Sequence, residues 1–124
     1  MKKIMLILSV MTLAVLFSAC KKEPLEVSKE IIVDYVANGL SVAHAGPFYF
    51  DFSLNNIVEI DLGVSSDNSN ALVWRSMPLT YNNSYYYYEI SGNKLYFYAK
   101  APNGYVFTND FSKDVKIIYK TTEY

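Results

Sequence analysis

The sequence predicts an all-β fold: a single antiparallel β-sandwich, with a small β-barrel as the alternative architecture. Short stretches of alternating apolar and polar residues recur along the chain, separated by clusters of Gly, Pro, Asn and Ser. Aromatic residues, which favour strands, are abundant, with 12 Tyr and 7 Phe among 124 residues. No long stretch spaces its apolar residues as a helix would, and the best helical candidate is a turn within residues 36–45.

The first residues have the pattern of an export signal. Lys2 and Lys3 precede a mostly apolar stretch of 14 residues, residues 4–17. At about 1.5 Å per residue, a helix of this length spans roughly 21 Å, which is less than the ~30 Å hydrocarbon core of a bilayer. The stretch therefore indicates a signal peptide rather than a transmembrane anchor.

The segment LFSAC, residues 16–20, resembles the lipobox of bacterial lipoproteins. Ser18 and Ala19 are small, as a cleavage site requires, although Phe17 stands where lipoboxes usually have Leu. Cys20 is the only cysteine, so no disulfide can form within the chain. The resemblance implies a signal peptide of residues 1–19 and lipidation of Cys20, with acyl chains such as palmitate. An ordinary secretory signal followed by an accidental cysteine is the alternative.

The residues after Cys20 divide into a tether and one domain. Residues 20–28 are charged and contain Pro24, which predicts a short lipidated tether, and residues 29–124 are long enough for one core. By resemblance to lipoproteins, Lys21 in place of Asp implies the outer membrane, facing the periplasm; the cell surface is the alternative. After residue 19 the chain has 9 basic and 12 acidic residues without a basic cluster, so nucleic acid is not an expected partner.

Nine short segments of the domain have strand patterns bounded by turn-prone residues. They are residues 30–35, 48–53, 57–62, 71–75, 78–81, 85–90, 94–100, 104–108 and 114–121. This arrangement resembles the immunoglobulin-like and fibronectin-type sandwiches of exported bacterial lipoproteins, which implies the same fold class and by itself no function.

The segments 85–91 and 94–100 predict a hairpin in which Gly92 and Asn93 form a two-residue type II′ turn. This turn sets the register and divides the side chains between two faces. The predicted core face holds Tyr86, Tyr88, Ile90, Leu95, Phe97 and Ala99. The predicted solvent face holds Tyr85, Tyr87, Tyr96 and Tyr98 among Glu89, Ser91, Lys94 and Lys100.

The four tyrosines on the solvent face have two interpretations. They can form a contact surface for a glycan or a protein, because each ring offers a flat apolar area, a hydroxyl and only two torsions to immobilise. They can also stabilise the hairpin alone, since cross-strand pairs of this kind contribute about 0.2–1 kcal/mol each.

Few residues suggest catalysis. His44 is the only histidine and is expected in a loop, and no Gly-x-Ser-x-Gly segment or phosphate-binding glycine loop occurs. Glu59 and Asp61 share one strand face, and Asp51 is a candidate neighbour, so a small glycoside hydrolase is the alternative function. Trp74 is expected to anchor the core. The sequence therefore predicts a non-enzymatic, lipid-anchored envelope module without a cofactor or metal, which contacts protein or glycan through its aromatic sheet face.

Overall fold

The structure is a computed structural model that describes residues 24–65 and 71–121. In these residues the chain forms eight strands and one 3-10 helix, Leu54–Asn56, which Ser53 caps through its side-chain oxygen. The strands in chain order are β1 (Leu25–Tyr35), β2 (Val42–Phe48), β3 (Ile57–Ser65), β4 (Leu72–Ser76), β5 (Leu79–Tyr81), β6 (Ser84–Ser91), β7 (Lys94–Lys100) and β8 (Phe111–Thr121).

The strands form two antiparallel sheets of four strands each, with the order β1-β8-β3-β4 in sheet 1 and β2-β7-β6-β5 in sheet 2. The sheets are not closed into a barrel, so the β-sandwich prediction is confirmed and the barrel alternative is wrong. Strands β1 and β8 pair along their whole length, from Leu25 opposite Thr121 to Tyr35 opposite Phe111. In immunoglobulin domains the first strand pairs with the second. The strand order here differs because the last strand lies between β1 and β3.

The core lies between the two sheets, where alternate side chains of the central strands point inward. Val33, Ile60, Leu95, Phe97 and Ile117 have no exposed surface. Their burial supplies the main driving force for packing the sheets, at about 1.5–3 kcal/mol for each large apolar side chain.

Tyr35 brings a polar atom into this core. Its ring stacks on Phe111 at 4.8 Å between centroids and meets Tyr86 edge-on at 6.2 Å. The hydroxyl group is buried and has no hydrogen-bond partner. Burial, with a smaller effect of Tyr86, raises the pKa of Tyr35. The side chain therefore packs well while its hydroxyl carries an uncompensated desolvation cost.

Strand β1 begins earlier than the domain boundary expected at residue 29. It starts at Leu25, inside residues 20–28, because its pairing with β8 continues to the Leu25–Thr121 pair. The described part of the expected tether is therefore sheet from Leu25 onward.

Strand β2 lies where the sequence suggested a turn. It covers Val42–Phe48, so the helical candidate within residues 36–45 and the loop position of His44 are wrong. Its inward residues Ala43 and Ala45 are small, which leaves only a weak apolar alternation in the sequence. Residues 49–53, expected to continue a strand, leave the sheet instead, and Phe52 stacks on Tyr119 at 3.7 Å between centroids.

Residues 104–108 form a loop rather than the expected strand. Phe107 exchanges backbone hydrogen bonds with a second loop: its N–H donates to the Leu40 carbonyl and its carbonyl accepts from the Gly39 N–H. Tyr105 and Val106 remain 67% and 55% exposed. Tyr105 and Val106 therefore face an open end of the sandwich, whereas Phe107 packs against the core.

The β6–β7 hairpin confirms the predicted register, from Ser91 opposite Lys94 to Tyr85 opposite Lys100. Gly92 has φ +63, as the first central position of a type II′ turn requires. The predicted core face is confirmed for Tyr86, Leu95, Phe97 and Ala99, and Tyr88 is half-buried against the core. Ile90 departs from the prediction with 42% exposure, because β5 pairs only with the Ser84–Tyr86 end of β6 and leaves the Ile90 end at the edge of the sheet.

Candidate functional site

The outer face of sheet 2 carries a continuous row of tyrosines, Tyr85, Tyr87, Tyr98 and Tyr96, which we call the tyrosine strip. Two of them lie on β6 and two on β7. They alternate with Tyr86 and Phe97, which point into the core, so the pleat directs all four rings to the opposite face. The sequence thus identified both the members of the strip and the face on which they lie.

The four rings of the tyrosine strip contact one another in succession. Ring centroids are 5.4 Å apart between Tyr85 and Tyr87, 5.1 Å between Tyr87 and Tyr98, and 6.5 Å between Tyr98 and Tyr96. The interplanar angles of these three pairs are 30°, 20° and 24°. Tyr85 is 42% exposed, and the other three are half-buried by their neighbours. The strip is therefore a row of roughly parallel aromatic rings, each with a hydroxyl group.

Ionisable side chains border the tyrosine strip. Lys100 lies opposite Tyr85 in the sheet register, and Glu89 lies opposite Tyr96. His44 on β2 lies opposite Tyr98, so the histidine expected in a loop instead belongs to this face. Burial, together with Glu89 and the neighbouring tyrosines, raises the pKa of Tyr98. The Tyr98 phenol thus remains a neutral hydrogen-bonding group at neutral pH.

The outer face of sheet 1 carries the two carboxylates of β3. Asp61 is 5% exposed and lies opposite Lys116 in the sheet, and one of its oxygens, Oδ1, is buried without a hydrogen-bond partner. Burial and a hydrogen bond with the Glu59 carboxyl raise the pKa of Asp61 to about 6, although the Lys116 cation lowers it. The sequence predicted that Glu59 and Asp61 are both solvated, whereas the structure buries Asp61.

The expected place of Trp74 in the core is wrong. Trp74 is half-buried on the outer face of sheet 1, opposite Gly63. A Cβ atom added at Gly63 would lie 3.2 Å from Cζ3 of Trp74, so the indole ring packs directly against this glycine. The Lys116 Nζ atom lies 4.6 Å from the ring centroid in a cation–π contact. A glycine inside a strand was the sequence signal for this close packing.

Glu59 and Asp61 lie closer together than the catalytic carboxyl pair of a glycoside hydrolase. Glu59 and Asp61 are in hydrogen-bonding contact, whereas catalytic pairs are separated by about 5–5.5 Å or 6.5–9.5 Å. Asp51 is exposed in the segment between β2 and the 3-10 helix. In the part of the chain that the structure describes, no three His, Cys, Asp or Glu side chains are placed to hold a metal ion.

The predicted signal peptide, residues 1–19, and Cys20 lie outside the described residues, so both the signal peptide and the lipidation stay predictions. Within residues 24–65 and 71–121, no helix has the length and apolar character needed to cross a bilayer. Comparisons with protein-family models, curated proteins and solved structures find no match to this chain.

Proposed function

We propose that this chain is a lipid-anchored, non-enzymatic module of the bacterial cell envelope that contacts a glycan or a protein through the tyrosine strip. The observation that carries the proposal is the unbroken series of three ring contacts that joins four tyrosines on one outer sheet face. Hairpin stabilisation alone requires only cross-strand pairs, and the strip adds the same-strand neighbours Tyr85–Tyr87 and Tyr96–Tyr98.

The strip has the chemistry of a contact surface. Tyrosine combines a large apolar ring with a hydroxyl group, and it loses little side-chain entropy when it binds. Rings already stacked on each other, as Tyr87 is on Tyr98, are partly immobilised before a partner arrives. Such a surface suits the apolar face of a sugar ring or the aromatic centre of a protein interface.

The proposed anchor constrains how the domain sits on the membrane. Only Lys21, Lys22, Glu23 and Pro24 separate Cys20 from the first strand. These residues reach about 3.3–3.6 Å each when extended, so lipid on Cys20 would hold the Leu25 end of the sandwich close to the bilayer. The chain would then act as a fixed surface module rather than one on a long flexible linker.

The test compares the full chain, purified in detergent, with a variant in which all four strip tyrosines are replaced by Ser. Both are applied to glycan arrays and used to co-purify partners from envelope extracts. We expect the variant to lose the interactions of the unmodified chain. Tyr49→Ser, at an exposed tyrosine outside the strip, is the matched control for Tyr85→Ser and should bind normally. Intact binding by the fourfold variant would contradict the proposal.

The anchor has a separate test. Mass spectrometry of the native protein should find a chain that begins at Cys20 and carries acyl groups on it. Cys20→Ala should release the protein from the membrane fraction. An intact leader, or a free thiol at Cys20, would refute the envelope assignment.

A further inference from the structure

A second surface lies at the end of the sandwich opposite Leu25. The β5–β6 turn and the loop after β7 enclose a cleft of about 650 Å³, which we call the loop cleft. This volume falls within the ~300–1,000 Å³ that small-molecule sites occupy. The residues that carry the inference are Thr80, Asn82, Asn83 and Ser84 on one side, and Tyr105 and Phe107 on the other.

The two sides of the loop cleft differ in chemistry. Thr80, Asn82, Asn83 and Ser84 offer hydroxyl and amide groups, which both donate and accept hydrogen bonds. The opposite side is largely apolar and includes an aromatic ring that is 67% exposed, that of Tyr105. None of the described residues that line the cleft is charged.

We propose that the loop cleft binds one unit of a neutral sugar. A pyranose ring has hydroxyl groups around its edge, which match donor–acceptor amides and hydroxyls, and an apolar C–H face, which packs on an aromatic ring. An ionised ligand would meet no opposite charge in the cleft and would lose hydration without compensation. A purely apolar ligand would leave the amide groups of Asn82 and Asn83 unpaired.

The position of the loop cleft agrees with this role. Tyr85 follows Ser84 directly and lies at the end of the tyrosine strip that is nearest the cleft. The cleft is also at the far end of β1 from Leu25, because Tyr35 pairs with Phe111 at that end. Under the proposed anchoring it would face away from the membrane, although sugar binding in the cleft does not depend on the proposed function of the strip.

The test is NMR titration of the ¹⁵N-labelled full chain in a detergent without sugar headgroups. The probes are glucose, galactose, mannose and N-acetylglucosamine, with glucuronic acid and glucosamine as charged comparators. We expect at least one neutral sugar to shift the side-chain amide signals of Asn82 and Asn83, with a Kd on the order of 1 mM. The charged comparators should bind more weakly.

Two variants locate the site. Asn82 and Asn83 have φ of +51 and +65, so the double substitution to Gly retains the turn and removes both amides. Followed through the backbone amide signals of the cleft residues, this variant and Tyr105→Ala should weaken sugar binding about tenfold or more. Tyr105→Phe keeps the ring and should bind within a few-fold of the unmodified chain. Asn93→Gly, in the turn at the opposite end, is the matched control and should bind normally.

The inference is overturned if no neutral sugar shifts the Asn82 and Asn83 signals, or if the charged comparators bind as well as the neutral ones. It is also overturned if the Asn82/Asn83 glycine variant binds like the unmodified chain. Replacing the strip tyrosines by Ser should leave monosaccharide binding in the cleft intact. If this fourfold variant no longer binds the glycan array, but sugar still shifts its Asn82 and Asn83 signals, the strip and the cleft are separate binding sites.

Discussion

Replacing Asp61 by Asn is expected to stabilise the protein at neutral pH. In the folded state, burial and the Glu59 carboxyl raise the pKa of Asp61 from 3.8 to about 6. The folded protein thus holds a proton more tightly than the unfolded chain does. The contribution of Asp61 to stability is therefore greatest below about pH 3.8 and is lost as the pH rises through about 6.

The size of the stabilisation follows from the difference between the pKa values of Asp61 in the folded and unfolded states. At about 1.4 kcal/mol per pH unit, the rise of the Asp61 pKa corresponds to about 3 kcal/mol as an upper limit. Asn removes the charge, but its carbonyl oxygen can still occupy the buried position where Oδ1 lacks a partner. We therefore expect Asp61→Asn to raise the free energy of unfolding by about 1–2 kcal/mol at pH 7.5.

Urea unfolding of the unmodified chain and of Asp61→Asn at several pH values measures this gap in the free energy of unfolding. It should be present at pH 7.5 and close as the pH approaches about 4, where the Asp61 carboxyl is protonated. Asp51→Asn, at an exposed carboxylate, is the matched control and should stay within about 0.5 kcal/mol of the unmodified chain. A variant less stable than the unmodified chain at pH 7.5, or a gap that widens toward pH 4, would refute the reasoning.

Three other substitutions test the packing. Tyr35→Phe removes the unpartnered buried hydroxyl and should raise the free energy of unfolding by up to about 1–2 kcal/mol. Because the pKa of Tyr35 is raised, the unmodified chain should also lose stability above pH ~10, and this loss should shrink in the variant; chemical unfolding at pH 8 and pH 10.5 checks both. Gly63→Ala places a methyl group against Trp74 and should cost about 1–3 kcal/mol and shift the Trp74 emission; unchanged fluorescence and stability would contradict this packing. Asp110 accepts hydrogen bonds from the N–H groups of Ala37 and Asn38, which lowers its pKa. Asp110→Asn should therefore lower the melting temperature at pH 7, with a smaller effect at low pH, where Asp110 is protonated; an equal loss at every pH would exclude the charge as the cause.

Local features of the sequence predicted the β6–β7 hairpin well. Gly92 specifies the turn, the turn specifies the register, and strict alternation then assigns each tyrosine to a face. The members and the face of the tyrosine strip could therefore be read directly from residues 85–100. Whether the strip binds anything depends on a partner, which the residues of the hairpin do not specify.

Features that depend on distant segments could not be predicted in the same way. The pairing of β1 with β8 joins the first and last strands, and nothing local to either strand encodes it. Trp74 was misplaced because the indole ring fits on the outer face only where Gly63 lies opposite it. The apolar residues Tyr105, Val106 and Phe107 read as a strand, but the Phe107 backbone pairs with the loop at Gly39 and Leu40 instead.

Site-specific photo-crosslinking in intact cells tests the central claim most directly. A photoreactive phenylalanine at Tyr87, in the middle of the tyrosine strip, should form a crosslink to an envelope glycan or protein. The same residue at Ile32, which is 66% exposed on the outer face of sheet 1, should form none. Equal crosslinking at both positions, or crosslinking at Ile32 alone, would contradict a binding role for the strip.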